Sequence, residues 1–238
     1  GIDVNLGLCE KEALELNKSF IYRNLNGTSY GVYKWAMSID GKLGLINGKS
    51  KWITSSKSRS LVHKLRADFD AIIIGGNTLR RDNPLLTTRG LKKIEPLRVV
   101  FTRTLDLPMK SKLWETELSN TLVVYDSSTA NEANLQRIPK GVVIEKVSSD
   151  NPKLLSKILA EKGCNKVLWE CGPKLATSAV KAGCIQEYIT FIAPKILGGE
   201  KGMNPFFDFE FKSMDEIINL NLKNIRRIGN DIYLKNVI

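Results

Sequence analysis

The chain has 238 residues, 42% hydrophobic and 26% charged, the composition of one ordinary globular domain with a short appendage. Thirty-six basic against 25 acidic residues give a net charge of +11, which favours anionic partners, but no block of five basic residues occurs and the aromatics do not interleave with the cations as a nucleic-acid stacking platform requires. His63 is the only histidine and the four cysteines are scattered, so a His-rich metal site is excluded and no metal is expected. No apolar run spans a bilayer, no export signal opens the chain and no membrane partner is expected, so the expected location is the cytoplasm or an organelle stroma.

Taken in chain order, Glu10 to Ile21 carries Ala13, Leu16 and Phe20 at helical spacing, and Asn24 to Thr28, with its Asn-Gly, reads as a linker. Tyr30 to Met37 reads as a strand closed by Asp40-Gly41. Ser55 and Ser56 are N-cap candidates for a helix with Leu61, Val62, Leu65 and Phe69 on one face, which gives His63 no evident catalytic companion. Asp70 to Gly75 is a continuous apolar run of strand length, as expected for a parallel sheet covered on both faces. Further β-branched strands follow at Arg98 to Phe101, Leu122 to Tyr125, Val142 to Val147, Val167 to Trp169 and Glu187 to Ile192. Asn151-Pro152 and Gly172-Pro173 open two helices ended by Gly163 and Gly183, and Leu220 to Val237 predicts a hairpin around Gly229-Asn230-Asp231. This alternation predicts an α/β fold whose mostly parallel sheet has an antiparallel C-terminal edge.

Neither G-x-G-x-x-G nor a Walker pattern is present. Two glycine-bearing turns are left, each either a phosphate cradle or a plain tight turn: Gly172-Pro173-Lys174-Leu175, where a strand feeds a helix, and Gly198 to Gly202. The segment Gly75-Gly76-Asn77-Thr78 to Arg89 leaves the carboxyl end of a buried strand, where open α/β sheets bind ligands. There Thr78 offers a hydroxyl, Asp82 a carboxylate and Arg89 a fork for phosphate; the alternative is a charged loop with a turn at Pro84.

In order, Lys34 to Lys42, Ser50 to Thr54, Leu65-Arg66-Ala67, Asp70 to Gly75, Thr78, Asp82 to Arg89, Pro96 to Val100, Leu168 to Pro173 and Ala193 to Gly199 resemble the reductase domain of the riboflavin-biosynthesis deaminase/reductase family. The resemblance covers residues 26–238 and implies a dihydrofolate-reductase-like fold, often dimeric. It also implies NADPH as cofactor and 5-amino-6-(5-phosphoribosylamino)uracil as substrate, its ribosyl group reduced to a ribityl chain. Under it, Trp52, Thr78, Asp82 and the backbone at Met37 contact the cofactor, and Gly172, Pro173, Lys174, Leu175, Ala176, Thr177 and Ser178 receive its phosphates. Ser50, Arg66, Leu86, Arg89 and Glu170 hold the substrate, and Lys34 with Glu170 handles protons at the opening sugar. Asn83, Cys171 and Met37 depart from the usual residues, and Met37 is expected to crowd the nicotinamide side. Residues 1–25 resemble the tail of a preceding deaminase domain whose zinc signature is missing from this chain, so no deaminase activity is expected. The alternatives are a related reductase of another pteridine or pyrimidine, and a non-catalytic nucleotide-binding domain.

Overall fold

A computed structural model of the chain describes residues 1–199 and 202–238. After an exposed amino-terminal segment come α1 (Glu10–Asn26), β1 (Tyr30–Ser38), α2 (Ser56–Arg66), β2 (Ala71–Gly75) and α3 (Gly76–Asp82). β3 (Leu97–Thr102), β4 (Thr121–Asp126), β5 (Val143–Val147), α4 (Pro152–Glu161), β6 (Lys166–Trp169) and α5 (Pro173–Lys181) follow. The chain closes with β7 (Glu187–Ala193), β8 (Asn221–Ile228) and β9 (Asp231–Val237).

The strands form one sheet in the order β5-β4-β3-β2-β6-β1-β7-β9-β8. From β5 to β7 every pairing is parallel, and β9 and β8 complete the edge antiparallel. This is the architecture that the strand and helix alternation predicts. Consecutive residues of β2 point to opposite faces. Ile72 and Ile74 join Val32, Val100 and Leu168 in one core, under Leu61, Val62 and Leu65 of α2 and Leu79 of α3. Ala71 and Ile73 join Tyr33, Val99 and Trp169 in the other, under Leu155 and Leu159 of α4 and Ala176 and Ala179 of α5. Burial on both faces is why these strands read as unbroken apolar runs.

Two expectations need correction. Asn24 to Thr28 is not a linker: α1 continues to Asn26, and Gly27 ends it in a left-handed conformation (φ 65°), its N–H donating to the Arg23 carbonyl. The helix therefore crosses the boundary expected at residue 25. It docks through Lys18, whose ammonium lies 3.0 Å from the buried Glu187 carboxylate, and through Tyr22, edge-on to Tyr30 at 5.5 Å. Second, the segment after Gly75 is a seven-residue helix rather than a charged loop, and it ends at Asn83 in the left-handed region. Asparagine tolerates that conformation, and its Oδ1 accepts from the Lys112 N–H at 2.9 Å.

Arg98, on β3, is fully buried, and its guanidinium donates to the carbonyls of Lys112, Leu113, Glu115 and Ser119. It thereby closes the loop between β3 and β4. Arg98→Met, which keeps the bulk but removes the donors, is expected to cost about 3 kcal/mol of stability. The shift of the urea midpoint at constant slope measures it.

Candidate active site

The carboxyl ends of β1, β2, β3 and β6 open into a cleft of about 1360 Å³. Parallel strands leave this end free for ligands because the following helices start there. Among the described residues, ten lysine and arginine side chains line the cleft against three carboxylates, Asp82, Asp150 and Glu170, so it attracts anions.

Glu170 sits one residue beyond β6, pinned by its N–H donating to the Ile73 carbonyl at 2.9 Å. Its side chain is buried between two cations. Arg66, at the end of α2, grips it in a fork, Nε to Oε1 at 2.7 Å and Nη2 to Oε2 at 3.1 Å. Lys34, in the middle of β1, approaches Oε2 at 3.2 Å. Burial works to raise the Glu170 carboxyl, but Arg66 and then Lys34 outweigh it and hold the group well below the usual carboxylate range. The carboxylate is thus ionised at any working pH and keeps both cations oriented.

The loop from Pro84 to Gly90 forms one wall. Leu86 and Arg89 line the cleft from left-handed backbone, each at φ 58°, a conformation that costs a bulky L-residue about 1–2 kcal/mol. Thr87 returns a carbonyl to Arg66 Nη1 at 3.2 Å, tying the loop to the Glu170 pair. His63, one turn before Arg66, also lines the cleft; burial, then Arg66 and Arg89, push its imidazole pKa down and keep it neutral.

The opposite wall is the start of α5. Gly172 occupies the N-cap position, no side chain among the described residues caps the helix and Pro173 has no N–H, which leaves the N–H groups of Lys174 and Leu175 as first-turn donors without a partner among those residues. A Cβ added to Gly172 would meet nothing within 4 Å among the described residues, so open space lies outside those donors. A Cβ added to Gly75 would lie 3.6 Å from Leu175 Cδ2, so the β2–α3 turn and the α5 turn adjoin in one cleft. Trp52, 64% exposed at the rim with the Arg59 guanidinium 4.3 Å from its ring centroid, offers a flat apolar surface. Uncapped helix donors, an open glycine and an aromatic platform fit a dinucleotide phosphate with its rings.

The profile of the RibD C-terminal domain family matches residues 29–234. The chain belongs to that family. Its relatives include the riboflavin biosynthesis protein RibD of Synechocystis sp., 39% identical over 97% of this chain and 63% of that protein. The chloroplastic riboflavin biosynthesis protein PYRR of Arabidopsis thaliana is 36% identical over 93% of this chain and 37% of its own length. Among solved structures, a diaminohydroxyphosphoribosylaminopyrimidine deaminase/5-amino-6-(5-phosphoribosylamino)uracil reductase from Thermotoga maritima superposes with a TM-score of 0.83 at 25% identity, over 100% of this chain and 64% of that one. The chain thus spans less than two thirds of the length of each of these proteins.

Within this RibD C-terminal domain the cleft gathers Lys34, Ser50, Trp52, Arg66, Thr78, Asp82, Leu86, Arg89, Glu170, Gly172, Pro173, Lys174, Leu175 and Ser178. Met37, Ala176 and Thr177 do not line it. Met37 points to the face of β1 opposite Lys34, where its sulfur accepts from Trp35 Nε1 at 3.4 Å, so its side chain does not crowd the cleft. Ala176 is buried in the core and Thr177 Oγ1 accepts from the Phe207 N–H at 2.8 Å. The second phosphate cradle is not free for a ligand at its start. The N–H groups of Leu197 and Gly198 donate to the Asp40 carboxylate at 3.2 and 2.7 Å, while Glu200 and Lys201 lie outside the described residues. Composition hides several cleft cations, Lys51, Arg80, Arg81 and Arg103 among them, because nothing in their spacing sets them apart from surface charge.

Proposed function

We propose that this domain is the NADPH-dependent reductase acting on 5-amino-6-(5-phosphoribosylamino)uracil in riboflavin biosynthesis. The observation that carries the reading is the Lys34–Glu170–Arg66 set at the floor of a basic cleft whose opposite wall is an uncapped, glycine-fronted helix. Lys174, Leu175 and Gly172 would hold the cofactor's phosphates, with Trp52, Thr78 and Asp82 along its length; bound there, it supplies the hydride. Arg89 and Arg66, with Ser50 and Leu86, would hold the phosphorylated substrate.

Reduction at carbon one of the sugar needs the ring to open first. The bond from that carbon to the ring oxygen breaks, the amine nitrogen gives up its proton as it forms C=N, and the ring oxygen takes a proton. Lys34, held by Glu170, is the cation assigned to proton handling at that oxygen. The C=N carbon then accepts hydride and the nitrogen a proton. The packed floor excludes water, and Arg66 fixes the orientation.

The homodimer is likewise a proposal. Leu222 and Ile225 of the edge hairpin stand 57% and 62% exposed, an apolar surface that a second copy would cover. A deaminase domain in the full-length protein is the covalent partner that the relatives' greater length suggests, with residues 1–25 as the tail leading from it. The relatives fit a cytoplasmic or stromal location, and no helix among the described residues is long and apolar enough to cross a membrane.

The test is NADPH consumption by purified protein given the deaminated phosphoribosylaminopyrimidine. Consumption with formation of the ribityl product is expected. Folded protein that binds NADPH but leaves this substrate untouched would favour a reductase of another pyrimidine or pteridine, and binding with no hydride transfer to any such acceptor a non-catalytic domain.

A further inference from the structure

We infer that Glu95 is a positioning residue for the phosphorylated substrate: it clamps the Pro84–Gly90 loop in the conformation that presents Leu86 and Arg89 to the cleft. The inference rests on the proposed reading of that wall as the substrate's side.

Glu95 lies on the segment entering β3 and is not among the residues that line the cleft. Its carboxylate nevertheless takes three hydrogen bonds from the loop. One oxygen accepts from the Thr88 N–H at 2.6 Å. The other accepts from Thr88 Oγ1 at 2.7 Å and from the Gly90 N–H at 3.3 Å. Thr88 is fully buried, and its hydroxyl also accepts from the Lys92 N–H at 3.2 Å, so the clamp closes on itself.

These donors bracket Arg89 on both sides in sequence. Arg89 and Leu86 both hold positive φ, which bulky residues keep only where surrounding bonds determine it. Arg66 supplies one such bond through the Thr87 carbonyl, and Glu95 supplies the other three. The loop is therefore stretched between a cation of the cleft floor and a carboxylate behind the wall. Only an acceptor-only group satisfies three converging donors; an amide of the same shape would turn a donor against one of them. Releasing the clamp frees Arg89 to leave its left-handed conformation and moves its guanidinium away from the phosphate position.

The test compares wild type with Glu95→Gln and Glu95→Asp. It measures steady-state kinetics with the phosphoribosylaminopyrimidine, and calorimetric binding of ribose 5-phosphate and, separately, of NADPH. For Glu95→Gln the expected result is a rise of roughly 10-fold to 100-fold in substrate KM and in ribose 5-phosphate Kd, with kcat and NADPH Kd within about twofold of wild type; Glu95→Asp, which keeps the charge, should fall between. Unchanged KM and unchanged sugar-phosphate binding in Glu95→Gln would overturn the inference, as would a parallel loss of NADPH affinity, which marks a merely structural role. If wild type binds ribose 5-phosphate and Glu95→Gln does not, the clamp stands even should wild type fail to turn over the pyrimidine, and only the reaction assignment falls. Wild type that binds NADPH but not ribose 5-phosphate would overturn the clamp's role while leaving the cofactor half of the reading intact.

Discussion

Glu170→Ala is expected to destabilise the fold by about 3–5 kcal/mol and to abolish turnover, because it strands two cations in a site built around one anion. Arg66 is 9% exposed as a residue and its fork has no other carboxylate partner among the described residues, so its charge cannot relax into water. Pairing the change with Arg66→Met, as in Glu170→Leu/Arg66→Met, removes the stranded charge and should recover a large part of the stability but none of the activity. Stability without activity in the double variant separates the group's role in catalysis from its role in folding. The same carboxylate gives the fold an acid limit. Its folded pKa lies below the unfolded value of about 4.3, so its stabilisation is complete above that value and is lost as pH falls through it toward the folded one. Urea midpoints measured from neutral pH to pH 3 should therefore fall further for wild type than for Glu170→Gln. Parallel falls would show that the Glu170 pair does not carry the acid sensitivity.

The second large effect has opposite signs on folding and binding. Gly172 has φ −73° and ψ 169°, extended backbone that any residue adopts, and an added Cβ meets no atom of the described residues within 4 Å. Gly172→Asp should cap α5 and face its positive end, leaving stability unchanged or raised by up to about 1 kcal/mol. The same carboxylate stands where a pyrophosphate is proposed to sit, so NADPH affinity should drop on the order of 100-fold through like-charge repulsion and lost access to the helix donors. Gly172→Ala, which adds bulk without charge, should weaken binding less. Thermal unfolding and calorimetric titration on the same samples give both signs at once. Undiminished NADPH affinity in Gly172→Asp would mean that the phosphates bind elsewhere.

How far the sequence foretold the structure depended on what each residue was asked to signal. The parallel strands were legible because burial on both faces demands runs such as Ala71 to Ile74, which no exposed segment would carry. α4 and α5 were legible from Asn151-Pro152 and Gly172-Pro173, which name the cap and the first turn. The Asn-Gly at 26–27 misled because the same pair serves a turn or a helix stop, and the docking of Lys18 on Glu187 and of Tyr22 on Tyr30 decides for the helix. α3 was missed because seven residues starting Gly-Asn-Thr have too little propensity and no apolar period; Leu79 alone anchors it. In the site, Arg66, Glu170 and Lys34 sit on three separate elements, and only strand order brings them together. Glu95 was invisible for a related reason. Between Ile94 and Pro96 it looks like any surface acid, and its three partners lie five and seven residues away in a loop with no periodic pattern.

A crystal structure of the protein with NADPH bound tests the central claim most directly. The pyrophosphate should lie against the N–H groups of Lys174 and Leu175, with the nicotinamide end reaching toward Lys34 and Glu170 and the Arg89 wall left free. A cofactor seated anywhere else on the molecule, with the α5 turn and the β2–α3 turn both bare, would contradict it.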